Sequence, residues 1–593
     1  MYALAAASNP DTPGSGHLCT RYPFQMTLDV RAAARSWIEG DPDPMAQAEL
    51  QMLLDDRSDD ELAERMAGTL EFGTAGLRGR VEAGSNRMNR AVVIRTTRGL
   101  ADYLLSSEGS PGPVVVGFDA RPSSRQFMED TVGVLAAAGI AVQYFDEPTP
   151  TPIIAYAGLR SDASASIVIT ASHNPPADNG YKVYAANGAQ IVPPMGSGIA
   201  AAIGAVGPAV EVARVADIYG HDLVTTLGPE VFAGYLTDID NDRAPLLSMP
   251  PLKIAYTPMH GVGGKFVVSA LAHAGYVDVH PEVTQFDPDG LFPTVEFPNP
   301  EEPGALDLVT DLAQRTDADL ILANDPDTDR LAVSLPTENG WRPLTGNQIG
   351  VLLADFLLEN SQVDVPIVLN SIVSSPMLGA IAEYRGAVSA QTLTGFKWIW
   401  NAALDLEEAG AGEFLFGYEE ALGYSVSSAV RDKDGISAAV SFADLTASCI
   451  AEGISVWDRL SRLYRRHGLW ISNQVSVVRP GTEGAAEIAH AMERLAGAPP
   501  EEVSGVAVTS VTDYSLGAAD RPRYLAATKL VLLELGDLGR LLVRPSGTEP
   551  KLKIYGDLRG DASSTADLTA LENALLAQAD DLANAMVHYL GLG

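Results

Sequence analysis

Short apolar runs, each ending in a loop of charged or hydroxyl-bearing residues, recur along this chain and alternate with helical stretches. That alternation limits the fold more than any other feature. Val114-Val115-Val116-Gly117-Phe118, Ser166-Ile167-Val168-Ile169, Lys253-Ile254-Ala255-Tyr256, Asp319-Leu320-Ile321-Leu322-Ala323 and Ile367-Val368-Leu369 all read as strands. Strands alternating with helices specify α/β domains, whose ligands gather beyond the C-terminal ends of the strands. A chain of 593 residues exceeds one hydrophobic core and divides into roughly three to five domains.

Changes of pattern mark the units. Residues 1–25 are rich in Pro, Gly, Ser and Ala without periodicity and read as a disordered extension, with Met26 an alternative start. Asp43-Pro44 has the form of an N-cap with proline at the first helical position, and Ser58-Asp59-Asp60-Glu61 that of a capping box. The expected domains are 26–228, closing on an Ala/Gly-rich stretch, then 229–344, 345–470 and 471–593. In the last, Val475-Ser476-Val477-Val478, Leu541-Leu542-Val543 and Lys551-Leu552-Lys553-Ile554-Tyr555 signal an antiparallel α+β arrangement.

Charge narrows the partners. A formal net charge of -36 argues against nucleic acid, which demands a concentrated basic surface. It also means that an anionic substrate needs a local cluster of donors to hold it. No apolar run approaches the roughly 18 residues of a bilayer span, and no basic segment precedes Ala3 to Ala7, so a cytoplasmic enzyme without membrane contact is expected. Cys19 and Cys449 supply neither a disulfide framework nor a thiolate zinc site. Lysine is scarce beside arginine, and Lys182, Lys397, Lys551 and Lys553 fall in or beside the loops that carry chemistry.

Those loops sit at strand ends. Thr170-Ala171-Ser172-His173-Asn174-Pro175 puts a serine at the mouth of one strand, although a serine beside a histidine is, by itself, an ordinary loop feature. Asp325-Pro326-Asp327-Thr328-Asp329-Arg330 follows another. Alternate residues of extended chain face one side, so three carboxylates can converge on a hard cation. A calcium EF-hand is excluded by Arg330 at the glycine position and Pro336 at the bidentate-glutamate position, and the short oxygen-only set favours Mg²⁺. Gly417-Tyr418-Glu419-Glu420-Ala421-Leu422-Gly423-Tyr424 suits sugar hydroxyls or a solvated turn equally well. Arg544-Pro545-Ser546-Gly547-Thr548-Glu549-Pro550, between two strands, offers a guanidinium fork, hydroxyls and an open backbone to a phosphate, although its composition by itself favours a plain Pro/Gly hairpin loop.

Taken together and in this order, these loops resemble the α-D-phosphohexomutase superfamily of phosphoglucomutases and phosphomannomutases, from about Glu71 to Tyr555. The resemblance implies a four-domain α/β architecture, with three similar α/β domains and a C-terminal α+β domain around a central cleft. It implies that Ser172 carries a phosphoryl group and that Mg²⁺ binds Asp325, Asp327, Asp329 and a phosphoserine oxygen. By the same resemblance Lys182 is the acid–base residue, His173 and Arg330 support the phosphoryl site, and Arg78 matches the arginine of Phe72-Gly73-Thr74-Ala75-Gly76-Leu77-Arg78-Gly79. Glu419, Glu420 and Lys397 would meet the sugar, while Arg544, Ser546, Gly547 and Thr548 would hold the phosphate that is not reacting.

The implied activity is reversible phosphoryl transfer between the 1- and 6-positions of a glucose or mannose phosphate, primed by a sugar bisphosphate such as glucose 1,6-bisphosphate. One departure bears on the sugar: the family's sugar loop commonly runs Gly-Glu-x-Ser, and Ala421 stands where that serine would be. The motifs look most like the branch of phosphopentomutases and glucose-1,6-bisphosphate synthases. Transfer between the 1- and 5-positions of a pentose phosphate and bisphosphate synthesis are therefore the alternatives. The partners expected are sugar phosphates, in a monomer or homodimer.

Overall fold

The computed structural model describes residues 29–593 apart from 71–75, 107–109, 244, 245, 247, 518, 547–550 and 566. The expected extension at 1–25, the motif residues Phe72 to Ala75, and Gly547 and Thr548 lie outside the described residues.

The N-terminal helices Val30–Gly40, Pro44–Asp55 and Asp59–Arg65 enclose a small core of Ala34, Leu50, Leu54 and Leu62. Asp43 caps the second as expected: its side chain accepts from Met45 N, and Pro44 opens the helix. The capping box at Ser58 does not form. Arg57 is left-handed (φ 56°) and leaves Ser58 at ψ 63°, short of the extended conformation an N-cap requires, and Glu61 is drawn instead into an ion pair with Arg65.

Four sheets follow. In the first, β1 (Leu77–Arg80), β2 (Val114–Phe118), β3 (Val142–Tyr144), β4 (Ala165–Ile169), β5 (Asp178–Ala185) and β6 (Val224–Thr226) lie in the order β1-β5-β4-β2-β3-β6. β2 and β4 are buried along their whole length, which is why they read as unbroken apolar runs. The second sheet orders β7 (Ile254–Thr257), β8 (Val279–Pro281), β9 (Leu320–Ala323), β10 (Ala332–Thr337) and β11 (Gly340–Pro343) as β11-β10-β9-β7-β8. The third orders β12 (Pro366–Ser371), β13 (Val388–Thr392), β14 (Glu413–Glu419) and β15 (Gly423–Ser425) as β13-β12-β14-β15.

These three sheets share one device. A strand in parallel pairing (β4 on β2, β9 on β7, β14 on β12) ends in a loop and returns antiparallel to itself as β5, β10 or β15. The serine loop, the three-aspartate loop and the Glu419 hairpin are those three returns.

After β16 (Leu469–Val478) and a short ribbon of β17 (Glu502–Val503) and β18 (Val506–Ala507) comes a different architecture. β19 (Ser510–Asp513), β20 (Val531–Glu534), β21 (Gly539–Pro545) and β22 (Lys551–Gly560) join β16 in a fully antiparallel sheet, order β16-β22-β21-β20-β19, against helix Leu568–Tyr589. The four-domain α/β plus α+β expectation is met. One apolar core runs without interruption from one face of the first sheet (Val115, Val168, Tyr184) through the second and third sheets to the fourth, while the other face of the first sheet keeps a core of its own. Among the described residues no single helix is long and apolar enough to cross a membrane.

Candidate active site

Ser172 follows β4 in the left-handed region, at φ 54°. For a residue with a Cβ this costs roughly 1–2 kcal/mol, so its surroundings must enforce it. Two contacts do so. The Thr170 hydroxyl oxygen accepts from Ser172 N at 2.8 Å, and the buried Arg121 guanidinium binds four carbonyls of the same loop. Arg121 Nη2 donates to Ser172 O (2.7 Å) and Asn174 O (2.6 Å), Nη1 to Pro175 O (2.6 Å) and Asp178 O (2.9 Å), and Nε to Asp119 Oδ2 (3.1 Å).

The aspartate loop is shaped from three sides. Thr328 is left-handed (φ 62°), Thr151 of the first domain donates through N and Oγ1 to Asp327, and Gly435 of the third packs on the loop backbone. Asp325, Asp327 and Asp329 are buried, with one carboxylate oxygen of each lying within 4.8 Å of the others.

Serine and aspartates meet. Ser172 Oγ donates to Asp325 Oδ2 at 3.0 Å and lies 3.3 Å from His173 Nδ1. Lys182, on β5 opposite Val168, reaches Asp327 Oδ2 at 2.7 Å and Asp329 Oδ2 at 2.8 Å. Arg330 Nε stands 3.9 Å from Asp325 Oδ2 and from Asp329 Oδ1, and Arg78 Nη1 donates to Asn174 Oδ1 at 3.3 Å. Among the buried atoms here without a hydrogen-bond partner are Asp327 Oδ1, Asp329 Oδ1, Arg78 Nε and Arg330 Nε. Orphaned buried polar atoms are costly. Two carboxylate oxygens suit a cation and two guanidinium N–H groups suit an anion, so the residues present fit Mg²⁺ beside a phosphoryl group.

Electrostatics sorts the ionisable groups. Burial and the neighbouring Asp327 and Asp329 push Asp325 well above the usual carboxylate range. Asp329 is as deeply buried, yet Lys182, Lys433 and Arg330 hold it low. Burial, then Arg330 and Arg78, drive His173 far below its ordinary value, so its imidazole is neutral. Lys182 is raised: burial opposes its charge, but Asp327 and Asp329 outweigh burial.

The remaining expected residues approach from the third and fourth domains. Glu419 Oε1 accepts from Gly395 N at 2.7 Å, and burial beside Glu420 raises its pKa to about 7. Glu420 Oε2 accepts from Ser371 Oγ (3.0 Å) and Ser374 Oγ (2.9 Å), and Ala421 caps the hairpin. Leu331 N donates to Leu422 O at 3.0 Å, and Arg330 forms a bridge with Gly423, so the hairpin continues the aspartate loop. Arg544 Nη1 donates to Thr394 Oγ1 at 2.5 Å, next to Gly395, and Ser546 N to Lys551 O at 2.7 Å. Lys397 lines a cavity of about 590 Å³ with Trp37, Gly76, Arg95 and Gln190 of the N-terminal region.

Sequence reasoning overlooked Arg121, Thr151, Ser371, Ser374 and Lys433. Arg121 had a visible signal, since Asp119-Ala120-Arg121 also follows a buried strand.

Models of the four phosphoglucomutase/phosphomannomutase domains match this chain: α/β/α domain I over 69–207, domain II over 233–338, domain III over 345–467 and the C-terminal domain over 506–573. The chain belongs to the phosphoglucomutase/phosphomannomutase family. It is a phosphosugar mutase, an isomerase that works as an intramolecular phosphotransferase. A Haemophilus influenzae relative described as a probable phosphomannomutase is 40% identical over 82% of this chain and 96% of its own. A mouse phosphopentomutase is 34% identical over 94% of each, and a human glucose 1,6-bisphosphate synthase 33% over 92% and 93%. Among solved structures, a putative phosphomannomutase of Thermus thermophilus aligns with a TM-score of 0.64 at 22% identity, covering 87% of this chain and 99% of its own. A Paramecium phosphoglucomutase aligns at 0.66 and 18%, covering 88% and 95%. At these identities the structures speak for the family's fold alone.

Proposed function

We propose that this mutase moves a phosphoryl group between the 1- and 6-positions of a hexose phosphate, with Ser172 as the carrier. The observation that carries the proposal is Ser172 Oγ at 3.0 Å from Asp325, inside a cluster in which two carboxylate oxygens and two guanidinium N–H groups have no hydrogen-bond partner. Asp325, Asp327 and Asp329 would hold Mg²⁺, which supplies charge stabilisation to the phosphoryl oxygens when bound. Arg78 and Arg330 would donate their free N–H groups to the same oxygens. His173, kept neutral, would orient the serine side chain.

In the forward step the bond between phosphorus and Ser172 Oγ breaks, and a bond to a sugar hydroxyl oxygen forms. The hydroxyl proton passes to a base while Ser172 Oγ takes up a proton and leaves as a hydroxyl; in the reverse transfer Oγ gives up its proton and the base returns one to the sugar oxygen. Lys182 is our candidate. Its ion pairs with Asp327 and Asp329 oppose proton loss. The role therefore requires those carboxylates to be engaged elsewhere, as they would be in holding a divalent cation. Glu419, with one oxygen fixed by Gly395 N, would present the other to sugar hydroxyls. Glu420 is held by two serines and would shape the loop. Arg544 and Ser546, with Gly547 and Thr548, would hold the second phosphate of the bisphosphate.

A second reading, transfer between the 1- and 5-positions of a pentose phosphate, is favoured by Ala421, which removes a hydroxyl partner from the sugar loop. Bisphosphate synthesis uses the same groups. A panel of glucose, mannose and ribose 1-phosphates with Mg²⁺ and a trace of glucose 1,6-bisphosphate separates these readings, and turnover of none would sink the mutase assignment. Ser172→Ala should remove the phosphoryl adduct seen by intact mass. An adduct that survives the change would place the carrier on another residue.

A further inference from the structure

Lys433 belongs to none of the loops given a role above, yet its side chain is buried at the centre of the site. Its Nζ lies 3.1 Å from Asp329 Oδ2, the oxygen that also takes Lys182 at 2.8 Å, and 3.5 Å from Asp432 Oδ1. Two ammonium groups from different domains thus grip one carboxylate oxygen of the aspartate loop.

The path of the stem matters as much as its end. It runs past Gly423, where a Cβ would stand 2.3 Å from Lys433 Cδ and 2.9 Å from Cγ. Gly423 is the partner of Glu419 across the hairpin, and it bridges Arg330 as well. At this one glycine the sugar hairpin, the aspartate loop and Lys433 meet. The neighbouring Asp432 is fixed from the first domain: its Oδ2 accepts from Tyr184 OH at 2.6 Å and from Gln190 Nε2 at 2.7 Å, and Tyr184 is two residues beyond Lys182 on β5.

We propose that Lys433, admitted by the missing side chain of Gly423, is a positioning residue that locks the aspartate loop to the sugar hairpin. The proposal rests on the mutase reading and adds to it the residue that keeps the metal ligands and the sugar contact in one register.

The sign of a metal titration tests it. By Coulomb's law alone, deleting a cation beside a metal site should tighten metal binding. If Lys433 acts by holding Asp329 in place, deleting it should weaken binding, as loss of outer-shell partners does. Mn²⁺ alone, titrated into the full-length protein and followed by its electron paramagnetic resonance signal, is expected to bind on the order of 10-fold more weakly in Lys433→Met. Gly423→Ala keeps the charge but displaces the stem, and should weaken Mn²⁺ comparably. The double variant should be no worse than either single one, as for two changes acting on one contact. Tighter or unchanged binding in Lys433→Met overturns the proposal, as do additive losses. If Lys433→Met does not fold, Gly423→Ala decides alone, and wild-type affinity there also overturns it. Glucose 1-phosphate and ribose 1-phosphate are titrated in parallel. Failure of both to bind the wild type removes the mutase reading, while the Mn²⁺ result still judges Lys433.

Discussion

Arg121 shows how one side chain can hold the loop of Ser172, the proposed phosphoryl carrier, in shape. Its five N–H groups are all directed inward, to four carbonyls of the serine loop and to Asp119. No other side chain offers five donors in a planar fork. In Arg121→Met the loop loses the contacts that offset the left-handed strain at Ser172, and Asp119 is left as a buried carboxylate without its cation. Turnover should fall on the order of 100-fold, the penalty typical of an ångström-scale misplacement. Stability should drop by about 3–5 kcal/mol, the cost of breaking a buried pair. A variant that melts lower but turns over at the wild-type rate would show that the arginine braces the fold without presenting the serine.

Glu419 gives the pH dependence at the same scale. Its folded pKa, about 7, lies above the ordinary 4.5, so between these values the folded protein binds more protons than the unfolded chain. Stability therefore falls as pH rises through this window. The contribution is fully present below about pH 4.5, is lost through about pH 7, and is on the order of 3 kcal/mol in total. Glu419→Gln cannot ionise. The melting difference between variant and wild type should therefore grow in the variant's favour from about pH 5 to about pH 8, and a difference that stays flat across that range would place Glu419 in a more polar setting than its burial implies.

At the scale of elements, the candidate active site is built from strand returns. β4, β9 and β14 each leave a parallel pairing through a chemically loaded loop and come back antiparallel, which is why the site was so largely legible in the sequence. An apolar run followed at once by Ser172, Asp325 or Glu419 is a local signal, as is the Asp43-Pro44 cap. What stayed hidden is carried by long-range contacts. Arg121 reaches 51 residues along the chain to Ser172 O, and Thr151 reaches 176 to Asp327. Lys433 reaches Asp329 along a path that a side chain on Gly423 would block. Ser58 had the right local pattern, and the left-handed turn before it cancelled the cap.

Glycine spacing yields an element-level prediction. A Cβ on Gly435 would stand 2.4 Å from Arg330 O and 2.7 Å from Thr328 O, both backbone atoms of the aspartate loop that cannot swing aside. Gly379, inside helix Met377–Arg385, would meet only Ser389 Oγ at 4.0 Å. Gly435→Ala should raise the Mg²⁺ concentration for half-maximal activity roughly 10-fold, as outer-shell disturbances do. Gly379→Ala should leave the Mg²⁺ requirement alone and stabilise by roughly 0.5–1 kcal/mol. Equal Mg²⁺ requirements in the two variants would mean that the aspartate loop does not depend on the start of the helix at Gly435.

Across the whole molecule, the domains are joined by polar ties that end in the site. Thr151 and Asp327 link the first to the second, Tyr184 and Asp432 the first to the third, and Arg544 and Thr394 the third to the fourth. One hold on the fourth domain is Arg540, which is buried in the junction. Its Nη2 donates to Ile372 O and Ser374 O at 2.9 Å each, and its Nε to Asp557 Oδ2 at 2.8 Å. Ser374 is also a partner of Glu420, so this arginine connects the fourth sheet to the sugar hairpin through one serine.

Around it Ile372 and Val373 of the third domain pack on Leu530, Leu532, Leu542 and Tyr555 of the fourth. In Arg540→Met, Asp557 retains Ser472 Oγ at 2.6 Å but loses its only ion-pair partner among the described residues. The expected loss is about 3–5 kcal/mol. Because the apolar contacts remain, the loss should appear as loosening of one domain. Limited proteolysis should then release a C-terminal fragment beginning near residue 470, while the Mn²⁺ affinity of the aspartate loop, seated on the second sheet, stays as it was. A fall in Mn²⁺ affinity alongside the fragment would mean that the fourth domain also holds the metal loop in shape. An uncleaved variant with the wild-type melting temperature would mean that apolar packing, these six side chains and the continuous core beside them, holds the junction and Arg540 only orients it.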